Sequence, residues 1–321
     1  MNRRRFLQYL GLTAVATGSP GFVGCGKAPT LNVTIHPWVG YETLYHARDF
    51  NWLPTRIQLN DYSILGESLA ALQSGEADAA CLTLDEMLRS RASGIPLSAA
   101  LVFNVSAGAD MVIARPEIEA LADLADKRIG YDPDSVGALV FAKLLDAAEL
   151  PPSAVTQVNL PPAKQLDAWR RGEVDAVVTY EPIASALTYE GARNLFDSRQ
   201  MPDTIIDVLA VRRDHQEILP LLRDLVSIHF RALDYIRGNE EDAVQRISAR
   251  NEISPREVRQ ALAGITLPTL AANRGYLLGK EPGLVRAAKA LSRLMVRYGL
   301  LTQEDDLRNL VLPDALPQNG P

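Results

Sequence analysis

The sequence predicts an α/β protein of two lobes followed by a helical C-terminal extension. Three observations carry that prediction. Short β-like runs alternate with amphipathic helical stripes from residue 30 to about residue 212, the pattern of α/β layers with mainly parallel strands. The segment Ala71-Leu72-Gln73-Ser74-Gly75-Glu76-Ala77-Asp78-Ala79-Ala80 recurs in outline as Ala168-Trp169-Arg170-Arg171-Gly172-Glu173-Val174-Asp175-Ala176-Val177, 97 residues later. After about residue 214 only helical stripes follow.

Taken in order, Leu31–Ile35 reads as a strand, Thr43–Phe50 as a helix and Arg56–Leu59 as a strand. Leu65, Leu69 and Leu72 mark a helix that stops at Gly75. Ala77–Leu82, Leu97–Phe103, Met111–Ala114, Arg128–Tyr131, Val155–Leu160 and Ala176–Thr179 are further strands, with helices at Asp85–Ser93 and Val136–Ala148. The long stripe Ile218–Ile236 opens the helical part. Ser254-Pro255-Arg256-Glu257 is a helix start, with a capping Ser, Pro in the first turn and Glu at the third position. Each copy of the repeat is a helix end, a Gly stop, an acidic turn and a buried strand. Each strand then runs into a polar tip, Thr83-Leu84-Asp85-Glu86 in one and Thr179-Tyr180-Glu181-Pro182 in the other. Two lobes with matching strand ends predict one cleft between them, because ligands of open α/β sheets sit beyond the carboxyl ends of strands.

The first residues read as an address. Arg3-Arg4-Arg5-Phe6-Leu7 precedes a short apolar stretch ending in small residues, the plan of a bacterial export signal. The arginine pair resembles the twin-arginine signal, with ordinary Sec export as the alternative. Phe22-Val23-Gly24-Cys25 resembles a lipoprotein cleavage box, so residues 1–24 are expected to be removed and Cys25 lipidated. Removal of three arginines and no acid takes the net charge from −6 to −9. That balance excludes a nucleic-acid partner, which needs a basic face. The remaining 297 residues suffice for two compact lobes. Cys81, in the apolar run Ala79-Ala80-Cys81-Leu82, is read as an inert buried thiol. His36, His46, His215 and His229 are scattered without metal-ligand spacing, so no metal is expected. No nucleophile elbow, phosphate loop or dinucleotide glycine pattern is present. No cofactor and no enzymatic activity are expected.

A set of segments in fixed order carries a resemblance. Trp38-Val39-Gly40-Tyr41-Glu42, Thr83-Leu84-Asp85-Glu86, Ser106-Ala107-Gly108-Ala109-Asp110, Thr179-Tyr180-Glu181-Pro182, Leu195-Phe196-Asp197-Ser198 and Ile206-Asp207-Val208-Leu209 together resemble the type 2 periplasmic binding proteins of ABC importers. The group is the nitrate/sulfonate/taurine and thiamine-pyrimidine one (SsuA/NMT1-like), and the resemblance covers roughly residues 30–300. It implies two α/β lobes joined by two crossing segments, expected near Asp110–Arg115 and Thr204–Arg212. Lobe one is then 30–112 plus 206–321 and lobe two 113–205, closing on ligand like a hinged trap. It also implies a monomer that hands a small molecule to an ABC permease and ATPase in the membrane. A membrane receptor is the alternative partner. A pyridoxal-dependent pyrimidine synthase of the same fold is the alternative activity; it needs a lysine, and this chain has none at an expected strand tip.

The candidate ligand-binding residues are Trp38, Tyr41, Glu42, Thr83, Asp85, Asp110, Ser135, Tyr180 and Glu181. Aromatic rings beside carboxylates suit a flat ligand with N–H or cationic groups. Each has a plainer role open to it. Trp38 and Tyr41 can pack the lobe, Glu42, Asp85 and Ser135 can serve helix starts, and Asp110 can bond within the hinge. Asp132 and Asp134 flank the helix start at Ser135, the one place an anion could sit, and no Arg or Lys stands at the expected tips. A nitrogenous, pyrimidine-like ligand is therefore expected ahead of a sulfonate, nitrate or taurine.

Overall fold

The computed structural model describes residues 28–62 and 65–318. The expected export signal and the lipidated Cys25 lie outside the described residues. The chain builds two half-units of like construction and then a helical extension. The first runs β1 (Leu31–Ile35), α1 (Glu42–Asp49), β2 (Ile57–Asp61), α2 (Leu65–Ser74), β3 (Ala79–Thr83), α3 (Leu84–Ala92), β4 (Leu97–Ser106) and β5 (Asp110–Ala114). The second runs β6 (Arg128–Tyr131), α4 (Gly137–Ala147), β7 (Thr156–Asn159), α5 (Pro162–Arg170), β8 (Ala176–Tyr180), α6 (Ile183–Tyr189), β9 (Arg193–Asp197) and β10 (Ile206–Arg212). The extension holds α7 (Leu219–Gly238), α8 (Glu240–Asn251), α9 (Pro255–Ala263), β11 (Ile265–Thr266), α10 (Leu270–Leu277) and α11 (Gly283–Arg297). Among the described residues no helix is long and apolar enough to cross a membrane.

The strands form two sheets, in the orders β11-β4-β10-β3-β1-β2 and β7-β6-β8-β5-β9. With the short β11 set aside, the two orders are the same pattern. Each half-unit lays four strands in its own sheet and gives its fifth, β5 or β10, to the other. The chain leaves the first sheet after Ser106 and enters the second at Asp110; it leaves the second after Asp197 and re-enters the first at Ile206. Asp110–Ala114 and Ile206–Arg212 are thus strands, and the connections precede them. The sheets are mixed rather than mainly parallel. β1 pairs in parallel with β2 and β3, and β6 with β7 and β8. β10 is antiparallel to β3 and β4, and β5 to β8 and β9. The reason is geometric. β3 and β8 run toward the space between the sheets, whereas β5 and β10 arrive from the opposite sheet and run away from it.

The repeated ten-residue segment has a physical job in both copies. Gly75 (φ +79°) and Gly172 (φ +70°) end their helices in left-handed backbone, open to glycine without strain. The Asp that follows ties its strand to the neighbouring one. Asp78 accepts from the Asn32 backbone N–H at 2.7 Å, and Asp175 accepts from the Arg128 N–H at 2.9 Å and from its guanidinium at 2.7 and 3.0 Å. β3, β4, β5 and nearly all of β8 and β10 are buried, which fixes the register by packing on both faces. The expected start of α9 is present. Ser254 Oγ accepts from the Glu257 N–H at 3.3 Å and Glu257 Oε2 accepts from the Ser254 N–H at 2.7 Å.

The short connection 107–109 is held from the extension. The Gly264 carbonyl accepts from the Ala107 and Ala109 N–H groups at 2.8 and 3.1 Å. Ser198, from the second connection, places its Oγ 2.7 Å from both Ser106 Oγ and the Gly108 N–H.

Candidate functional site

A cavity of about 910 Å³ lies between the two sheets. Its walls are the carboxyl ends of β3 and β8, the first residues of β5 and β10, and the starts of α3 and α5. The strand register explains which residues meet there. Asp207, the second residue of β10, pairs with Thr83, the last of β3; Asp110, the first of β5, pairs with Tyr180, the last of β8. Asp110 and Asp207 are themselves 97 residues apart, as are Thr83 and Tyr180, and Trp38 and Ser135. All six residues line the cavity. The internal repeat therefore extends beyond the ten residues in which it is legible.

Trp38 is the central aromatic. Its Nε1–H donates to Asp207 Oδ2 at 2.8 Å, and Asn104 Nδ2–H donates to the same oxygen at 2.6 Å. Its ring meets Tyr180 of the other sheet edge-on, with centroids 5.5 Å apart and planes at 82°, a favourable aromatic geometry. Gly40 makes this possible. A Cβ there would lie 1.9 Å from Asn104 Nδ2 and 2.6 Å from Trp38 Nε1. Tyr41 packs its ring on Phe103 at 5.1 Å in the core and reaches the cavity wall.

Five carboxyl groups line the cavity: Glu86, Asp110, Asp132, Asp134 and Asp207. Burial pushes the Glu86 carboxyl up to about 7, with the Asp85 charge adding to the rise. Burial likewise pushes Asp110 up to about 6, opposed by its hydrogen bond with Ser106. Asp207 is pushed well above the carboxylate range, mainly by burial. Near neutral pH Asp207 therefore keeps its proton, Glu86 stands near its midpoint and Asp110 is mostly ionised; a cation or strong donor favours the charged form of each. Glu86 also accepts from the Thr83 N–H at 2.9 Å, so it caps α3 as well as facing the cavity. His36, at the rim, is held down at about 4 by burial and is neutral.

Six of the nine residues singled out in the sequence line this cavity: Trp38, Tyr41, Thr83, Asp110, Ser135 and Tyr180. Glu42, Asp85 and Glu181 do not. Glu42 is on the inner face of α1, bonded to the Arg250 guanidinium and, at 3.0 Å, to Asn251 Nδ2. Asp85 takes the Thr83 hydroxyl at 2.7 Å and Arg89 at 3.3 Å. Glu181 is buried and accepts from the Ser185 N–H at 3.0 Å. In each case a donor within hydrogen-bond reach captures the carboxylate. Two of the acids that face the cavity, Glu86 and Asp207, were hidden in the sequence, one as a helix-start residue and the other inside an apolar strand. The 97-residue offset from Asp110 was the available signal for Asp207. No Arg or Lys stands at the strand tips themselves, but Arg89 and Lys164 line the cavity from α3 and α5. Lys164 arrives from the start of α5, a helix the strand-tip rule did not include. Cys81 is buried, with its thiol pushed up by burial. Among the described residues no cluster of His, Cys, Asp and Glu could hold a metal ion.

With this geometry in place, the comparisons with known proteins fall into line. The family model described as NMT1/THI5 like matches residues 57–216. The chain belongs to the NMT1/THI5-like family. The taurine-binding periplasmic protein of Escherichia coli (strain K12) is 27% identical over 153 residues, which are 47% of this chain and 48% of the relative. That match spans about half the length of each. The alkanesulfonate-binding protein SsuA from Xanthomonas axonopodis pv. citri, solved with MOPS bound, superposes with a TM-score of 0.74 at 19% identity over 88% of this chain and 98% of its own. At that identity the likeness is one of fold, and the fold is the two-lobe type 2 periplasmic-binding-protein fold. The desulfurization enzyme DSZB shares it too, with a TM-score of 0.65 at 18% identity over 90% of this chain and 97% of its own.

Proposed function

We propose that this NMT1/THI5-like chain is an exported solute-binding protein that closes two lobes over a small organic molecule and delivers it to an ABC importer. The two sheets, with 107–109 and 198–205 between them, act as the lobes, and Cys25 carries the lipid that holds the protein at the membrane. The chain binds rather than transforms its ligand. The Cys81 thiol is buried and pushed up by burial, the opposite of an activated nucleophile.

The ligand carries N–H or ammonium groups on a flat or apolar body. The observation that carries this reading is the wall of Glu86, Asp110 and Asp207 beside the Trp38–Tyr180 aromatic pair. Carboxyl groups there can accept from amino groups and take up a positive charge, and the rings can hold a planar face. A second reading, sulfonate or taurine capture, is favoured by the taurine-binding relative and by Lys164 and Arg89 at the cavity. Titration calorimetry with aminopyrimidines, simple amines, taurine, alkanesulfonates and nitrate separates the two. Micromolar binding confined to the amines supports the first reading. Binding confined to sulfonates or nitrate transfers the assignment to the second.

A further inference from the structure

At the second sheet lies a smaller recess of about 10 Å³, lined by Asp110, Asp132, Ser135, Gln165, Thr179 and Tyr180 among polar residues. This is room for roughly one water-sized group. Gln165 on α5 is 1% exposed. Its Nε2 donates to the carbonyls of Leu160 (3.3 Å) and Val178 (3.0 Å). Both partners are acceptors, so the amide cannot be turned around. Its Oε1 is buried with no partner. A buried carbonyl oxygen left in that state costs free energy that a bound donor recovers.

Apart from the Tyr180 phenol, which can also donate, the polar side chains of the recess have the same polarity. Asp110 and Asp132 offer carboxyl oxygens. The hydroxyl hydrogens of Ser135 and Thr179 are already directed at the Asp132 and Tyr180 carbonyl oxygens, each at 3.4 Å. What remains on the side chains of Gln165, Asp110, Asp132, Ser135 and Thr179 is acceptor capacity. Val136, Val140 and Val178 close the recess with apolar walls. A group that only donates, is no larger than a water and gains from carboxylates meets every requirement.

We propose that this recess is a subsite for a primary amino or ammonium group of the ligand, whose body lies in the main cavity against Trp38 and Tyr180. The inference rests on the nitrogenous reading above and narrows it to unsubstituted amino groups. Methylated nitrogens are excluded twice, by volume and by the loss of N–H donors to Gln165 and the two aspartates.

The test uses calorimetry on the full mature chain with paired probes: benzylamine against benzyltrimethylammonium, 4-aminopyrimidine against 4-(dimethylamino)pyrimidine, and taurine against its N,N,N-trimethyl derivative. The primary amino partner of at least one pair is expected to bind roughly tenfold or more tighter. Gln165→Leu should reduce that binding by about 10- to 100-fold, and Val140→Ile, which adds a methyl group at the recess wall without removing a hydrogen bond, should do the same. Melting curves establish that each variant is folded, and Val140→Ile carries the test should Gln165→Leu fail to fold. Equal binding of the methylated partners, or unchanged affinity in the folded variants, overturns the subsite and leaves the nitrogenous reading standing, with water filling the recess. Binding of simple alkanesulfonates with no amine bound overturns both.

Discussion

Asp207 is held by two donors, Trp38 Nε1 and Asn104 Nδ2, and both reach it only because residue 40 has no side chain. In Gly40→Ala the new methyl group would overlap Asn104 Nδ2 at 1.9 Å. The expected outcome is a loss of about 1–3 kcal/mol of stability, read by thermal or urea unfolding, together with weakened ligand binding as Trp38 is displaced from Tyr180. Unchanged stability and binding would mean that the Asn104–Asp207–Trp38 arrangement is dispensable. The Asp110 carboxyl makes a different prediction. Its value is about 6 in the folded protein against 3.8 when unperturbed, raised chiefly by burial. The folded state therefore holds this proton more tightly than the unfolded chain. The stabilisation is full below the unfolded value and is lost as pH rises through the folded one. Relative to Asp110→Asn, the native protein should lose on the order of 3 kcal/mol between about pH 4 and pH 7. Urea unfolding at a series of pH values measures this, and a difference independent of pH would contradict it.

At the scale of elements, the two copies of the Gly-Glu-x-Asp turn do the same work in places 97 residues apart. Gly172 ends α5 at φ +70° and a Cβ there would meet nothing within 4 Å. Gly172→Ala thus tests backbone conformation alone and should cost about 1–2 kcal/mol by chemical denaturation. A neutral result would show that the turn relaxes to another conformation. Much at this scale was legible in the sequence, because buried strands and Gly-stopped helices have strong local signatures. Leu31–Ile35, Arg128–Tyr131 and the Ser254 cap all stand where the pattern puts them. The strand Ile206–Arg212 was read as a connecting segment, since its local pattern is that of any buried run. Only its pairing with β3 and β4 makes it a strand.

For the whole molecule, closure is the property on which the proposed function depends. Two short connections join the sheets, and the first hangs on the Gly264 carbonyl and Ser198 Oγ. Small-angle scattering with a saturating ligand should show a radius of gyration smaller than that of the ligand-free protein; an unchanged radius would argue against a hinged trap. The lipoprotein box predicts that Cys25→Ala releases the chain from the membrane fraction of expressing cells. Retention of that variant in the membrane fraction would remove the anchor from the account.

The sequence by itself determined the α/β class, the duplicated turn and the helical extension, because each is set by contacts within a dozen neighbouring residues. Which carboxyl groups face the cavity was decided only by the tertiary structure. Glu42 was claimed by Arg250, which lies 208 residues away in sequence, and Asp207 was brought to Thr83 by a strand crossing from the other sheet. A carboxylate bonds to whichever donor the fold places within about 3 Å, and for these residues that donor, or its absence, is fixed by chain segments far apart in sequence.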